Sequence, residues 1–121
     1  MTIDRPPDPE CIFCRIISGE LAATRVYEDE FVVAIDDIHP VAPVHKLLMP
    51  LTHIESAADL RETDGPVLGR LFAVAAELAT AARLPERGYR IVSNVGREGG
   101  QSVPHLHFHL IGGRPFAWPP G

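Results

Sequence analysis

Three of the chain's six histidines stand at alternate positions in one apolar run, Val103-Pro104-His105-Leu106-His107-Phe108-His109-Leu110-Ile111. Imidazole ionises nearest neutrality of all side chains, so it can serve as base, nucleophile or metal ligand. Strict alternation is the period of a β-strand, in which successive side chains point to opposite faces. The run is therefore expected to be a strand with Leu106, Phe108 and Leu110 on a buried face. His105, His107 and His109 then share the other face, about 6.6 Å apart along the strand. A half-exposed edge strand with solvated histidines is the plain alternative. Three in register favour a functional site.

The segment that feeds this run is Asn94-Val95-Gly96-Arg97-Glu98-Gly99-Gly100-Gln101-Ser102. Glycines let backbone N–H groups converge on an anion, and Ser102 adds a hydroxyl donor. A glycine loop alone is a weak signal, and Glu98 is a poor neighbour for phosphate. Its position is what counts, since an anion held there would sit beside His107. Together the loop and the histidines point to phosphorus chemistry. The two cysteines form Cys11-Ile12-Phe13-Cys14. A redox pair of the thioredoxin kind wants a preceding strand, whereas here a proline-rich stretch precedes. Two thiolates at this spacing read better as half of a tetrahedral zinc site, to be completed by two imidazoles. Two free buried thiols are the competing reading.

The elements that must position these groups follow from pattern. Residues 1–10 carry Pro6, Pro7 and Pro9 among scattered charges and read as a disordered lead-in, leaving residues 11–121 as a single domain. Cys11 to Ser18 fits a short helix stopped by Gly19. Arg25 to Glu28 and Phe31 to Asp36 read as a hairpin of strands, and Val44 to Met49 as another strand ended by Pro50. Between them His39-Pro40-Val41-Ala42-Pro43 is a stiff loop, because each proline fixes φ and restricts its predecessor. Asp64-Gly65-Pro66 opens the one long helix, whose apolar stripe runs from Val67 to Ala82 and stops before Pro85 and Gly88. Tyr89 to Asn94 is a further strand. Adjacent hairpins and a covering helix make an α+β domain with a mainly antiparallel sheet.

Composition narrows the partners. Apolar residues at 45% and charged residues at 22% are ordinary for a soluble globular protein. A net charge of −5 argues against a nucleic-acid polymer or an anionic membrane as partner. The longest apolar run, Leu71 to Ala82, is interrupted by Glu77 and too short to span a bilayer. With no secretory signal pattern at the N-terminus, a cytoplasmic location is expected.

The set Asp37-Ile38, Ala42-Pro43-Val44-His45, Gly99-Gly100-Gln101-Ser102-Val103 and His105-Leu106-His107-Phe108-His109-Leu110-Ile111 resembles the histidine-triad (HIT) family. The block Gly99 to Ser102 and the ending Trp118-Pro119-Pro120-Gly121 are similar to its Hint branch of nucleoside phosphoramidate hydrolases. The likeness runs from about Cys11 to the last residue. It implies a five-stranded, mainly antiparallel sheet with one long and one short helix, extended across a homodimer. It also implies hydrolysis of purine nucleoside 5′-phosphoramidates and of acyl- or amino-linked AMP. The nucleotidyl-transferase branch has glutamine where this chain has His109, so His109 aligns it with the hydrolases.

The resemblance assigns His107 as nucleophile, with His109 and Ser102 donating to phosphoryl oxygens and His45 orienting the nucleophile. It makes Asp37 the ribose ligand. The purine would lie among Ile12, Phe13, Ile16, Ile38 and Leu47, with Asn94, Gly100, Gln101 and Trp118 completing the substrate contacts. His45 alone would read as a sheet histidine, Asp37 as a turn aspartate and the apolar positions as core. Some family members hold a zinc ion, and their pattern maps onto Cys11, Cys14, His53 and His105. With four protein ligands that zinc would be structural. Two other classes stay open: a dinucleoside polyphosphate hydrolase using the same nucleophile, and a non-catalytic dimeric module that binds nucleotide or zinc.

Overall fold

The computed structural model describes residues 4–121. Met1–Ile3 of the expected lead-in lie outside the described residues. Helix α1 covers Ile12–Ile17, and its first turn is capped by Cys11 Sγ, which accepts from the Cys14 N–H at 3.3 Å. Gly19 ends the helix at φ +87°, a conformation that glycine adopts without steric cost. Strands β1 (Arg25–Glu28), β2 (Val32–Asp36), β3 (Val44–Pro50), β4 (Tyr89–Ser93) and β5 (Phe108–Gly112) form one sheet in the order β1-β2-β3-β5-β4. Every neighbouring pair is antiparallel. Helix α2 runs Gly65–Ala81, with Pro66 in its first turn where a missing N–H costs nothing.

Alternation along the strands divides the core into two layers. Val32, Ala34, Leu48, Phe108 and Leu110 face α2 and pack on Leu71, Val74, Ala75 and Ala79. Val33, Ile35, Leu47 and Met49 face the other way and pack on Cys11, Phe13, Cys14 and Ile16 of the α1 segment. Full burial of each large apolar side chain contributes about 1.5–3 kcal/mol. The sheet is thus a stiff frame held from both sides. Among the described residues, no helix is long and apolar enough to cross a membrane.

One expectation needs correction. The histidine run is not one strand, since β5 begins only at Phe108 and leaves His105 and His107 before it. Pro104 has no N–H to give a ladder, the His105 N–H donates back to Val103 O at 2.8 Å, and the Leu106 N–H goes to Ile54 O at 2.6 Å. The two-sided pattern survives this bend: Leu106, Phe108 and Leu110 all reach the α2 layer. The described part of the expected lead-in makes contacts with the rest of the chain. Asp4–Glu10 has defined partners, with the Arg5 guanidinium forked on the Asp64 carboxylate at 2.6 and 3.0 Å and Arg61 paired with Asp4. Those partners lie far along the chain and leave no mark on local composition. Two 3₁₀ turns, Ala57–Asp59 and Glu62–Asp64, fill a stretch that has no periodic pattern.

Candidate active site and metal centre

On the paired strands β3 and β5, His45 stands opposite Ile111 and Leu47 opposite His109. His45 and His109 are therefore diagonal neighbours on one face, and His45 Nε2 lies 2.9 Å from His109 Nδ1. The His109 and His107 rings are 5.0 Å apart between centroids. On its other side His107 meets the Phe13 ring edge-on, again at 5.0 Å. Three imidazoles from two strands and the bend before β5 thus form one row, walled by α1.

Backbone partners decide the tautomers of His107 and His45, and His45 in turn decides that of His109. His107 Nδ1 is 2.7 Å from His105 O, and a carbonyl only accepts. Nδ1 of His107 therefore carries the proton, and its Nε2 presents a lone pair. The Val41 N–H can only donate, and it meets His45 Nδ1 at 3.1 Å. The proton of a neutral His45 is consequently on Nε2, where it is donated to His109 Nδ1. His109 is left with its proton on Nε2. A lone pair and an N–H donor then stand side by side.

Burial favours the neutral form of His107 and His109. Burial pushes His107 below the ordinary imidazole value, against the opposing pull of the His105 carbonyl and the Asp37 charge. Burial also takes His109 down to about 4, helped by His107 and His45. Asp37 Oδ2 lies 3.3 Å from His45 Nε2, while Oδ1 accepts the His39 N–H at 2.7 Å in a turn. Asp37, His45 and His109 bring donor atoms within 4.8 Å of one another. That trio does not suit a cation, because His45 Nε2 holds a proton and the His109 Nδ1 lone pair receives it.

The remaining substrate-site candidates divide. Phe13, Ile16 and Leu47 are brought together and buried beside the histidines, and Ile12, about half exposed, stands at their rim. Ile38 and Trp118 are 85% and 81% exposed, so this chain alone does not fold them against the site. In the glycine loop, a Cβ at Gly99 would sit 2.2 Å from Val95 O, which makes glycine obligatory there. Gly100 takes φ +80°, and Ser102 is exposed at the loop's end. Gln101 is fully engaged: Oε1 accepts the Gly96 N–H at 2.9 Å, and Nε2 donates to Glu55 O at 2.7 Å and Val103 O at 3.0 Å. It shapes the loop and has no donor left for a ligand. Asn94 holds Gly99 O at 2.7 Å and also lines a cavity of about 200 Å³ with Val41, His45, Val92, His109 and Ile111. Val41 was not foreseen as a functional position. Its one local signal is the proline-bracketed loop just ahead of His45.

A second cluster lies behind the row. Cys11 and Cys14 come from the start of α1, His53 from the loop after β3, and His105 from the bend before β5. One ligand atom of each falls within 4.8 Å of the others, and three of the four residues are buried. Cys11 Sγ is 3.5 Å and Cys14 Sγ 3.6 Å from His105 Nδ1. Cys14 Sγ is 3.3 Å from His53 Nδ1, and the two Nδ1 atoms are 3.2 Å apart. His105 Nε2 donates to Pro50 O at 2.9 Å, which turns the Nδ1 lone pair toward the thiols and His53. Two soft sulfurs and two ring nitrogens converging in this way are suited to a metal ion.

Comparison with known proteins agrees with this geometry. A family model described as the HIT domain matches residues 18–116. The purine nucleoside phosphoramidase of Escherichia coli K12 is 43% identical over 106 residues, 88% of this chain and 89% of that protein. An uncharacterized HIT-like protein of Synechocystis is also 43% identical, over 93% of this chain and 97% of its own length. A HIT family hydrolase structure from Legionella pneumophila superimposes with a TM-score of 0.91 at 46% identity, covering 93% of this chain and 100% of that one. A HIT family hydrolase from Clostridium thermocellum gives 0.88 at 42% identity, over 91% and 96% of the two chains. With its histidine row carried on the matching fold, the chain belongs to the HIT domain family.

Proposed function

We propose that this protein hydrolyses purine nucleoside 5′-phosphoramidates and related AMP conjugates, with His107 as nucleophile. The observation that carries the reading is the His107 Nδ1–H held on the His105 carbonyl at 2.7 Å, which leaves Nε2 as a lone pair. Nε2 attacks the α-phosphorus, an N–P bond forms, and the amine leaves with the electron pair of the broken P–N bond and takes up a proton. The His109 Nε2–H is a fixed donor for the phosphoryl oxygen whose charge grows during attack, assisted by Ser102 and loop N–H groups. Water then displaces Nε2 from phosphorus and releases AMP. The E. coli relative, named a purine nucleoside phosphoramidase, supports this substrate class.

Asp37 at the end of β2 grips the ribose hydroxyls, with two oxygens whose further lone pairs remain available beside the His39 and His45 contacts. Phe13, Ile16 and Leu47, with Ile12 at the rim, form the purine slot. Asn94 and Gly100 border the phosphate. The Cys11–Cys14–His53–His105 set is assigned to zinc. Tetrahedral zinc at ordinary bond lengths separates nitrogens by about 3.3 Å and nitrogen from sulfur by about 3.6 Å. The corresponding separations here, 3.2 Å and 3.3–3.6 Å, match those edges. Four protein ligands make such an ion structural, tying α1 to the peptide that orients His107. The sheet leaves one outer edge each on β1 and β4, and pairing of two copies along an edge gives the homodimer.

The test is AMP release from an AMP-linked amine and, separately, from a diadenosine polyphosphate. Turnover of the amine conjugate well above the polyphosphate is expected, and is abolished in His107→Ala. The opposite preference overturns the substrate assignment.

A further inference from the structure

The histidine row depends on Val41, an exposed loop residue, and something must hold Val41 in place. Its N–H fixes the His45 tautomer, yet its side chain is 57% exposed and supplies little packing. The anchor comes from the other end of the chain. After β5 ends at Gly112, Gly113 turns the backbone at φ +96° directly against Pro43, where a Cβ would lie 2.9 Å from the proline's own Cβ. Only glycine permits both the conformation and the approach. The turn delivers Arg114 to the Pro40–Pro43 loop, where its Nε donates to Val41 O at 3.0 Å.

Arg114 is itself fixed. Its guanidinium lies 4.4 Å from the Phe116 ring centroid, and that of Arg90 from β4 lies 5.4 Å from the same ring. Arg114 also bonds Pro115 O at 3.0 Å, and Arg90 bonds Ala117 O. A continuous chain of donors results. It runs from Arg114 Nε–H to Val41 O, from the Val41 N–H to His45 Nδ1, and from His45 Nε2–H to His109 Nδ1.

We infer that Arg114 is a positioning residue for the catalytic row, acting through Val41 to select the tautomers of His45 and His109. The chemical consequence rests on the function proposed above; the structural consequence does not. If Val41 drifts, its N–H no longer discriminates the two nitrogens of His45, and the opposite tautomer becomes accessible. That tautomer leaves His45 Nε2 as an acceptor, so His109 donates from Nδ1 and turns a bare nitrogen toward the phosphoryl oxygen. Substrate binding through the base slot and Asp37 is untouched. Arg114 thus affects kcat and leaves ground-state affinity alone.

The test uses the full-length protein and two variants. Arg114→Met keeps an unbranched stem over Phe116 but has no donor, and Arg114→Lys restores one. Long-range ¹⁵N–¹H spectra of the histidine rings read the tautomers directly, without any need for activity. In the wild type, His45 and His109 are expected as single Nε2–H forms. In Arg114→Met, both should become mixtures while His107 keeps its Nδ1–H signature. An aligned donor of this kind is worth two to three orders of magnitude in rate, so partial misalignment should lower kcat about tenfold. The Kd for AMP should stay within about twofold, and Arg114→Lys should recover most of the rate. Unchanged tautomers in Arg114→Met overturn the proposal. So do equal defects in the Met and Lys variants, or a Met variant that fails to fold, since each makes Arg114 a mere anchor of the tail. If the wild type lacks the phosphoramidase activity, the functional reading falls and the spectra still decide the role of Arg114.

Discussion

Cys11→Ser separates the metal from the fold more cleanly than other substitutions at the cluster. Cys11 has two roles: its Sγ faces His105 Nδ1 at 3.5 Å, and it caps α1 by accepting the Cys14 N–H. Serine is a good N-cap, so the second role is preserved while a thiolate ligand is lost. The side chain is 2% exposed, and the exchange of sulfur for oxygen leaves only a small void. The expected loss is therefore the binding free energy of the ion, which counts toward folding. If free zinc stands a thousandfold above its Kd, binding contributes about 4 kcal/mol. Unfolding entropy near 2.1 cal/mol/K per residue gives about 0.25 kcal/mol/K for the 121 residues, so Tm should fall by about 16 °C. Scanning calorimetry with and without a chelator, beside elemental analysis, measures both sides of this. Wild-type protein should carry about one zinc per chain and lose the same stability to the chelator, and the variant should be indifferent to it. Activity should also fall, because His105 is at once a proposed ligand and the owner of the carbonyl that holds His107. A wild type that carries no zinc as purified, or whose Tm and rate the chelator leaves unchanged, would refute the metal centre and leave two packed thiols.

Three more outcomes are expected. His107→Ala should abolish turnover yet bind AMP with little change by titration calorimetry, because only the covalent step is removed; a rate near wild type contradicts the mechanism. Asp37→Asn should weaken AMP binding by about 1.5–3 kcal/mol per charge-assisted bond at most, with a smaller loss for a 2′,3′-dideoxy analogue; equal losses would remove Asp37 from the ribose site. Because burial holds His107 and His109 below the ordinary value of 6.5, kcat/KM should stay level as pH falls through 6.5 and turn down only below it. The unfolded chain takes up these protons first. Stability should therefore be full above about pH 6.5 and decline toward about pH 4, where His109 titrates in the fold. An acid limb at or above 6.5 would show that the nucleophile is not held neutral by burial.

The legible parts of the site were those written in local pattern. Alternation at Leu106, Phe108 and Leu110 marked the buried face correctly even though His105 and His107 precede the strand, because a bend that keeps side chains alternating preserves the pattern. Cys11 and Cys14 suggested a ligand pair by their spacing. Spacing could not supply His53 and His105, which only the family resemblance indicated and which the fold brings to Cys14 and Cys11. The family resemblance placed Gln101 among the substrate contacts. Its amide is instead committed to Glu55 O, 46 residues earlier, a partner that no window around the loop contains. The Val41–Arg114 bond spans 73 residues, and the Arg5–Asp64 pair spans 59. Long-range polar pairings of this kind are set by tertiary geometry, and hydrophobic periodicity carries no record of them.

On the proposed mechanism, His107 Nε2 becomes bonded to phosphorus. The stereochemical course at phosphorus decides whether it does, using a nucleoside phosphorothioamidate of single configuration hydrolysed in ¹⁸O-water. Each in-line displacement inverts the centre, so attack by His107 followed by attack of water gives a product with configuration retained. Retention is the predicted result. Inversion would mean that water attacks the substrate in a single step, and the lone pair held ready on His107 would need another role.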